Sequence, residues 1–261
     1  MKLRKFLVFF FSITIVLLFI MPNVHGNSAK LAYIYYNDPT TASSYNTFLA
    51  SEGFSINLID VDFITTGTFD THDIIIIGPD LGSWSTLYMD ETKEAIIDDS
   101  NLPIIGLGNG GFAFFGLDGL SLYIGYDNGG SISSITNIDV IEDTHAIFNT
   151  PNDLPSGNIQ LYSSGSDVYY APTTSVPDVT LYGKVAGSSI YYCLTQQYDR
   201  YFLWGFDNSP STMTQDGKDL FINLLNYFTP PESGIFGYNI LILIGIISIS
   251  VIILIKKKNH N

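Results

Sequence analysis

The 261-residue sequence is poor in cysteine and lacks glycosylation signals. Cys193 is the one cysteine, so the chain cannot form an intramolecular disulfide. A domain of about 200 residues buries enough apolar surface to fold without such a link. No Asn-x-Ser/Thr sequon occurs either. Together the two absences favour a prokaryotic source.

Basic residues are also scarce, with 11 Lys and Arg against 25 Asp and Glu. Six of the basic residues lie at the two ends of the chain. Between residues 27 and 234, five basic residues face all 25 acidic residues, a net charge of −20. The five are Lys30, Lys93, Lys184, Arg200 and Lys218. Such a surface repels a phosphate backbone, which argues against nucleic acid as a partner.

Residues 1–26 have the pattern of a secretory signal peptide. Basic residues at positions 2, 4 and 5 precede a largely apolar run over residues 6–21, and Pro22 and the small residue Gly26 follow. A basic start, an apolar middle and a small-residue exit are typical of such signals. An uncleaved anchor helix is the alternative, because the apolar run is long for a signal.

Residues 235–255 form a second long apolar run. These 21 residues carry no charge, and about 20 apolar residues span the core of a bilayer. Lys256, Lys257 and Lys258 follow directly, which favours a cytoplasmic tail over residues 256–261. We therefore expect a single-pass protein of the cell membrane, with the lipid bilayer as a partner. Residues 27–229 would be an extracytoplasmic domain and residues 230–234 a short stalk. A removable lipid-anchor signal is the alternative, although such signals normally lack a terminal basic stop.

Strand and helix patterns alternate over the first half of the predicted outer domain. Apolar strands are predicted over residues 30–37, 55–61, 74–77 and 102–107, and helices from Pro39 to Glu52 and over residues 87–98. This alternation predicts an α/β fold with a doubly wound, mostly parallel sheet of the flavodoxin type. Ligands of such sheets bind at the carboxyl ends of the strands.

The second half has shorter strands, which predict an antiparallel β extension of the same domain. These strands are expected over residues 131–140, 159–164, 179–185 and 190–194. Residues 201–206 are expected to form another buried strand. A closing helix is predicted over residues 214–228, with Thr214 as its N-cap. Its apolar stripe consists of Leu220, Phe221, Leu224, Leu225 and Phe228.

Residues 102–115 are the stretch around which a site is predicted, and they read Leu-Pro-Ile-Ile-Gly-Leu-Gly-Asn-Gly-Gly-Phe-Ala-Phe-Phe. A strand that runs through a tight glycine turn into a helix has the geometry of a nucleophile elbow. Gly108 stands at the nucleophile's position and has no side chain. The run lacks the Lys-Ser/Thr of a phosphate loop and the full dinucleotide-binding spacing. A turn that lets helix and sheet pack closely is therefore the simpler interpretation.

The order of these segments resembles the class I glutamine amidotransferase-like superfamily. Residues 103–110 are similar to the family's strand followed by Gly-x-Cys-x-Gly. Residues 201–210, Tyr-Phe-Leu-Trp-Gly-Phe-Asp-Asn-Ser-Pro, and the helix after them resemble its Gly-x-x-Phe-His-Pro-Glu corner and closing helix. Residues 144–148, Thr-His-Ala-Ile-Phe, are similar to the His-Pro-Ile turn of the ThuA-like branch, whose members are linked to sugar metabolism. The resemblance covers residues 30–228 and implies a flavodoxin-like fold.

The departures from this family imply a degenerate site. A glutaminase of the family uses a cysteine nucleophile, a histidine base and a glutamate that orients the histidine. Gly108, Asp207 and Ser209 fall at or near those three positions, so the resemblance implies that the triad is lost. Cys193 lies on a predicted strand far along the chain and is expected to pack as a small apolar residue.

Five residues around the carboxyl ends of the strands are the expected ligand contacts. They are Gly106, Gly108, Asn109, Gly110 and Trp84, the last in the loop after the third strand. Backbone N–H groups at a helix start attract anions, and an aromatic ring at a site mouth suits a sugar or a peptide.

If the protein is an enzyme, His145, Asp207 and Asp80 are the catalytic candidates. His145 is a possible general base beside Asp143. His72 has no second histidine at ligand spacing, and the acidic pairs of the sequence do not match a calcium loop. The sequence therefore predicts no metal site and no cofactor.

The function predicted from the sequence is a membrane-anchored extracytoplasmic binding or interaction module without catalysis. Its ligand would be an unknown protein or a small molecule such as a sugar. One alternative is a ThuA-like carbohydrate-processing or other hydrolase-type enzyme. Another is an accessory subunit of a membrane complex, in which residues 235–255 pack on partner helices.

Overall fold

Nine strands form the main sheet of the computed structural model, which describes residues 29–83, 86–116, 120–171, 176 and 178–229. In chain order, the strands of the described residues are β1 (Lys30–Tyr35), β2 (Ser55–Asp60), β3 (Ile74–Ile77), β4 (Gly82–Ser83), β5 (Thr86–Leu87), β6 (Ile104–Leu107), β7 (Gly130–Ile135), β8 (Asn137–Val140), β9 (Asn158–Gln160), β10 (Ser166–Tyr170), β11 (Val179–Val185), β12 (Tyr192–Gln197) and β13 (Tyr201–Trp204). The helices are α1 (Pro39–Ser51), α2 (Glu91–Asp99), α3 (Gly108–Gly116), α4 (Ala146–Asn149) and α5 (Gln215–Phe228).

The main sheet has the order β2-β1-β3-β6-β13-β12-β11-β8-β9. The first five strands pair in parallel, and each later neighbour pairs antiparallel. The predicted α/β fold with a parallel sheet and an antiparallel extension is therefore confirmed. Two small sheets accompany it, one formed by β7 and β10 and the other by β4 and β5.

Helices cover both faces of the parallel part of the sheet. Successive strand residues alternate between two apolar clusters, because side chains of a strand point alternately to opposite faces. Helices α1, α4 and α5 pack on one face, and α2 and α3 pack on the other. The four isoleucines of β3 are all 0% exposed, as expected for a central strand covered on both sides.

Local sequence signals place the ends of the helices. Asp38 caps α1, with its Oδ1 accepting from the backbone N–H groups of Thr40 and Thr41. Thr214 caps α5 as predicted, since its Oγ1 accepts from the backbone N–H of Gly217 at 3.0 Å. The predicted apolar stripe of α5 is buried.

The stretch over residues 131–140 is two strands and not the one strand that its composition predicts. Ser134 has a left-handed backbone (φ 63°), which bends the chain near the end of β7. After Thr136 the chain enters β8, so the two strands join different sheets. Strand β10 was not predicted, because its five residues lie in a segment rich in Ser, Gly and Asp.

No helix within the described residues is long and apolar enough to span a membrane. The predicted signal peptide at residues 1–26 and the predicted membrane span at residues 235–255 lie outside the described residues, as do the stalk and the tail.

Candidate functional site

The predicted strand, turn and helix occur at the carboxyl end of β6. The strand ends at Leu107, and α3 begins at the next residue. Gly108 has a left-handed backbone (φ +47°), which L-residues adopt at a cost. We call residues 106–111 the Gly108 turn. Its backbone has the geometry of a nucleophile elbow, as predicted.

Three glycines of the turn allow close backbone packing. A Cβ on Gly110 would lie 2.0 Å from the carbonyl oxygen of Gly78, in the loop after β3. A Cβ on Gly111 would lie 2.1 Å from the carbonyl carbon of Gly106, and one on Gly106 would meet the Phe115 ring at 2.6 Å. Of the expected ligand contacts, Gly106 and Gly110 are thus enclosed by protein atoms, while Asn109 is partly exposed.

The carboxylate of Asp207 occupies the space that a side chain at Gly108 would fill. A Cβ on Gly108 would lie 2.1 Å from Asp207 Oδ1. The same oxygen accepts a hydrogen bond from the backbone N–H of Asn109 at 2.9 Å. In a nucleophile elbow, the N–H of the residue after the nucleophile contributes to the oxyanion hole. Asp207 therefore fills both the nucleophile position and one oxyanion-hole position of this elbow.

Strand β10 holds Asp207 in this position. The backbone N–H of Asp207 donates to the hydroxyl oxygen of Ser166 at 3.1 Å and to the carbonyl oxygen of Asp167 at 3.1 Å. The N–H of Asn208 donates to the same Ser166 hydroxyl at 3.3 Å. Sequence reasoning missed Ser166 and Asp167, and no local pattern marks them.

Asp80 lies at the same edge of the sheet and holds the loop between β1 and α1. Its Oδ2 accepts from three successive backbone N–H groups, those of Tyr36, Asn37 and Asp38, at 2.9, 2.7 and 2.7 Å. This arrangement fixes the chain at the carboxyl end of β1. The candidate catalytic carboxylate of Asp80 is thus engaged by the backbone.

His145 is not brought to the Gly108 turn. Its Nδ1 accepts from the N–H of Ile147 at the start of α4, and its ring packs 4.7 Å from Tyr182 and 5.2 Å from Tyr227. Tyr227 lies near the end of α5, whereas Asp207 precedes the start of that 14-residue helix. Since a helix of that length is about 20 Å long, His145 and Asp207 lie toward opposite ends of it.

Ser209, near the family's glutamate position, places its hydroxyl 2.6 Å from that of Ser211. Trp84 lies outside the described residues. The rings of Tyr36, directly after β1, and Tyr88, directly after β5, stack at 5.0 Å and form an aromatic surface at the carboxyl edge of the sheet. Cys193 is fully buried on β12, and burial raises the pKa of its thiol.

The environment of Asp207 makes its carboxyl group a weaker acid than that of an exposed aspartate. The pKa of its carboxyl group is raised from 3.8 to about 6, mainly because the group is buried. The charges of Asp167 and Asp80 also raise this pKa, whereas the hydrogen bond from the N–H of Asn109 lowers it. The two neighbouring negative charges thus add to the effect of burial on the Asp207 carboxyl group. Within the described residues, no group of three or more His, Cys, Asp or Glu side chains is placed to hold a metal ion.

The raised pKa of Asp207 should make stability depend on pH. The folded chain holds this proton more tightly than the unfolded chain, so the contribution of Asp207 to stability falls as the pH rises from about 4 through about 6. The expected loss is at most about 3 kcal/mol. Urea unfolding of the wild type and of Asp207→Asn across this range measures it, because the amide does not titrate. Parallel pH profiles for the two proteins would contradict the assignment.

The described residues have the fold of class I glutamine amidotransferases, as the sequence resemblance predicts. A solved protein assigned as a GMP synthase subunit from Thermoplasma acidophilum is similar, with a TM-score of 0.51 and 18% identity over 77% of this chain and 94% of that one. A chain of PurLQS from Thermotoga maritima also matches, with a TM-score of 0.48 and 15% identity over 77% of this chain and 100% of that one. A glutamine amidotransferase from Methylobacillus flagellatus matches with a TM-score of 0.46 and 10% identity over 80% of this chain and 98% of that one. No protein-family model and no curated protein sequence matches the chain.

Proposed function

We propose that this protein is a membrane-anchored, extracytoplasmic binding module that retains the amidotransferase-like fold without glutaminase activity. The observation that carries the proposal is the contact between Asp207 and the Gly108 turn. Gly108 supplies no nucleophile, and the Asp207 carboxylate stands where a nucleophile and an oxyanion would be stabilised. A negative charge at that point opposes the formation of a second one.

The carboxyl edge of the sheet retains features of a binding surface. Asn109 and the stacked Tyr36 and Tyr88 lie at this edge, where ligands of such sheets bind. Aromatic rings beside hydrogen-bonding groups suit a sugar or a peptide side chain. The strongly acidic composition of the chain favours a neutral or cationic ligand.

We expect the purified intact chain, in detergent micelles, to release no ammonia from glutamine. Gly108→Cys alone should also be inactive, because the new side chain meets Asp207 and finds no base. A class I glutaminase measured in the same detergent is the control. Glutamine hydrolysis by the wild type that is lost in Asp207→Ala or His145→Ala would overturn the proposal.

The anchoring part of the proposal is supported by the two apolar runs and the lysines after the second one. Protease added to intact cells should degrade residues 27–229 and leave an epitope fused to residue 261 protected. Protection of the large domain in intact cells, with digestion after lysis, would place it in the cytoplasm and contradict the assigned orientation.

A carbohydrate-processing hydrolase is the second candidate, and the raised pKa of Asp207 favours it. A buried carboxyl group with a pKa of about 6 is suited to general acid catalysis near neutral pH. Such an enzyme would lose hydrolysis of its sugar substrate in Asp207→Asn. In a binding module, by contrast, the same change leaves ligand binding measurable.

A further inference from the structure

Two buried tyrosines pack ring against ring beneath the carboxyl edge of the sheet. Tyr33 on β1 and Tyr45 on α1 are each 1% exposed, and their ring centroids lie 5.2 Å apart. Neither hydroxyl has a hydrogen-bond partner within the described part of the chain. An unpaired hydroxyl in a protein core costs about 1–3 kcal/mol, and such groups in native proteins almost always have a partner.

The hydroxyl of a third tyrosine, Tyr162, acts on both of them and raises the pKa of Tyr33 and of Tyr45. It accepts from the indole N–H of Trp204 at 3.1 Å and donates to the carbonyl oxygen of Asn208 at 3.3 Å. The side chains of Tyr45 and Tyr162 interact closely enough to shift each other's pKa. The Tyr45 hydroxyl nevertheless has no partner that meets both the distance and the angle of a hydrogen bond. Of these three interacting phenol groups, those of Tyr33 and Tyr45 keep unused hydrogen-bonding capacity.

The charges around these hydroxyls define what could lie between them. Burial is the main cause that raises the pKa of Tyr33, followed by the negative charges of Asp80 and Asp38. The negative charge of Asp207 also raises the pKa of both Tyr33 and Tyr45. An anion is therefore repelled, and a neutral molecule that both donates and accepts fits the hydroxyls. Since both oxygens are closed off from the surface, the molecule must be small.

We propose that one buried water molecule bridges the hydroxyls of Tyr33 and Tyr45, next to Tyr162. Proteins contain about one buried water per 27 residues, and such waters make about three hydrogen bonds to polar groups that otherwise lack partners. The water ties β1 to α1 directly behind the loop held by Asp80. This inference is independent of whether Asp207 blocks catalysis.

The sign of a stability change tests the proposal. In urea unfolding of the intact chain, Tyr33→Phe and Tyr45→Phe should each raise the unfolding equilibrium constant about fivefold to tenfold, because each removes a bond to the water. The double variant should raise it by less than the product of the single effects, since both hydroxyls hold the same molecule. Tyr123→Phe, at an exposed tyrosine, is the matched control and should cause no change.

Phenylalanine variants that are as stable as the wild type, or more stable, would show that the hydroxyls are simply unpaired and would overturn the proposal. Stabilisation of the wild type by ammonium chloride but not by sodium chloride, lost in the double variant, would assign the site to a monovalent cation and also overturn it. A crystal structure of the intact chain should show an oxygen peak about 2.6–3.2 Å from both hydroxyls. Continuous protein packing at that point would count against the water.

Discussion

Gly110→Ala is expected to destabilise the protein by about 4 kcal/mol or more, a large part of the stability of a typical domain. The new Cβ would lie 2.0 Å from the carbonyl oxygen of Gly78 and 2.9 Å from the amide nitrogen of Leu81. Both are backbone atoms, so the strain cannot be relieved by rotating a side chain. Losses of this size are rare among single substitutions, and whole domains are stable by only about 5–15 kcal/mol.

Gly157→Ala is the matched control for this prediction. Gly157 also becomes alanine, but its site is open, with no atom within 4 Å of the new Cβ. Its left-handed backbone (φ 86°) alone should cost about 1–2 kcal/mol. The free energies of unfolding of both variants can be measured in urea. If Gly110→Ala lost no more stability than Gly157→Ala, the close approach of α3 to the loop after β3 would be refuted.

Asp80→Ala should cost about 3–5 kcal/mol, the second largest effect that we expect. The substitution leaves the N–H groups of Tyr36, Asn37 and Asp38 without their shared acceptor. Hydrogen bonds to a charged group contribute about 1.5–3 kcal/mol each, and part of this loss is recovered when water reaches the loop. Asp80→Asn keeps an acceptor oxygen without the charge and should fall between the wild type and the alanine variant.

Asp73→Ala provides the comparison, because Asp73 accepts from one backbone N–H, that of Lys30, at 2.7 Å. It should cost about 1–2 kcal/mol. Faster amide hydrogen exchange at residues 36–38 in Asp80→Ala, and not in Asp73→Ala, would locate the effect in the loop. Equal losses in the two variants would mean that Asp80 does not hold the β1–α1 loop.

Elements with a complete local signal were predictable from the sequence. Four adjacent isoleucines bounded by Asp73 and Gly78 predict a strand buried on both faces, and β3 has those bounds. Helix α5 carries its own N-cap and apolar stripe, so its extent was predicted to within one residue. These elements are determined by burial and capping groups that lie within a few residues of each other.

Short strands in the second half were harder to predict. The break between β7 and β8 depends on the left-handed backbone at Ser134. Strand β10 forms by pairing with β7, and its Ser166 accepts a hydrogen bond from the backbone N–H of Asp207. Pairing partners lie far along the chain, so no local pattern reports them. The candidate His145 fails to reach the Gly108 turn for the same reason, since its position follows from the packing of α4 on α5.

The sequence alone determined the α/β alternation, the charge that argues against nucleic acid, and the glycine at the turn that has no nucleophile. Only the tertiary structure decided that Asp207 fills the space above Gly108 and accepts from Asn109, 98 residues away along the chain. Strands β6 and β13 lie side by side in parallel register, with Gly106 opposite Leu203 and Leu107 opposite Trp204. Because parallel neighbours end at the same edge of a sheet, this pairing brings the two turns together.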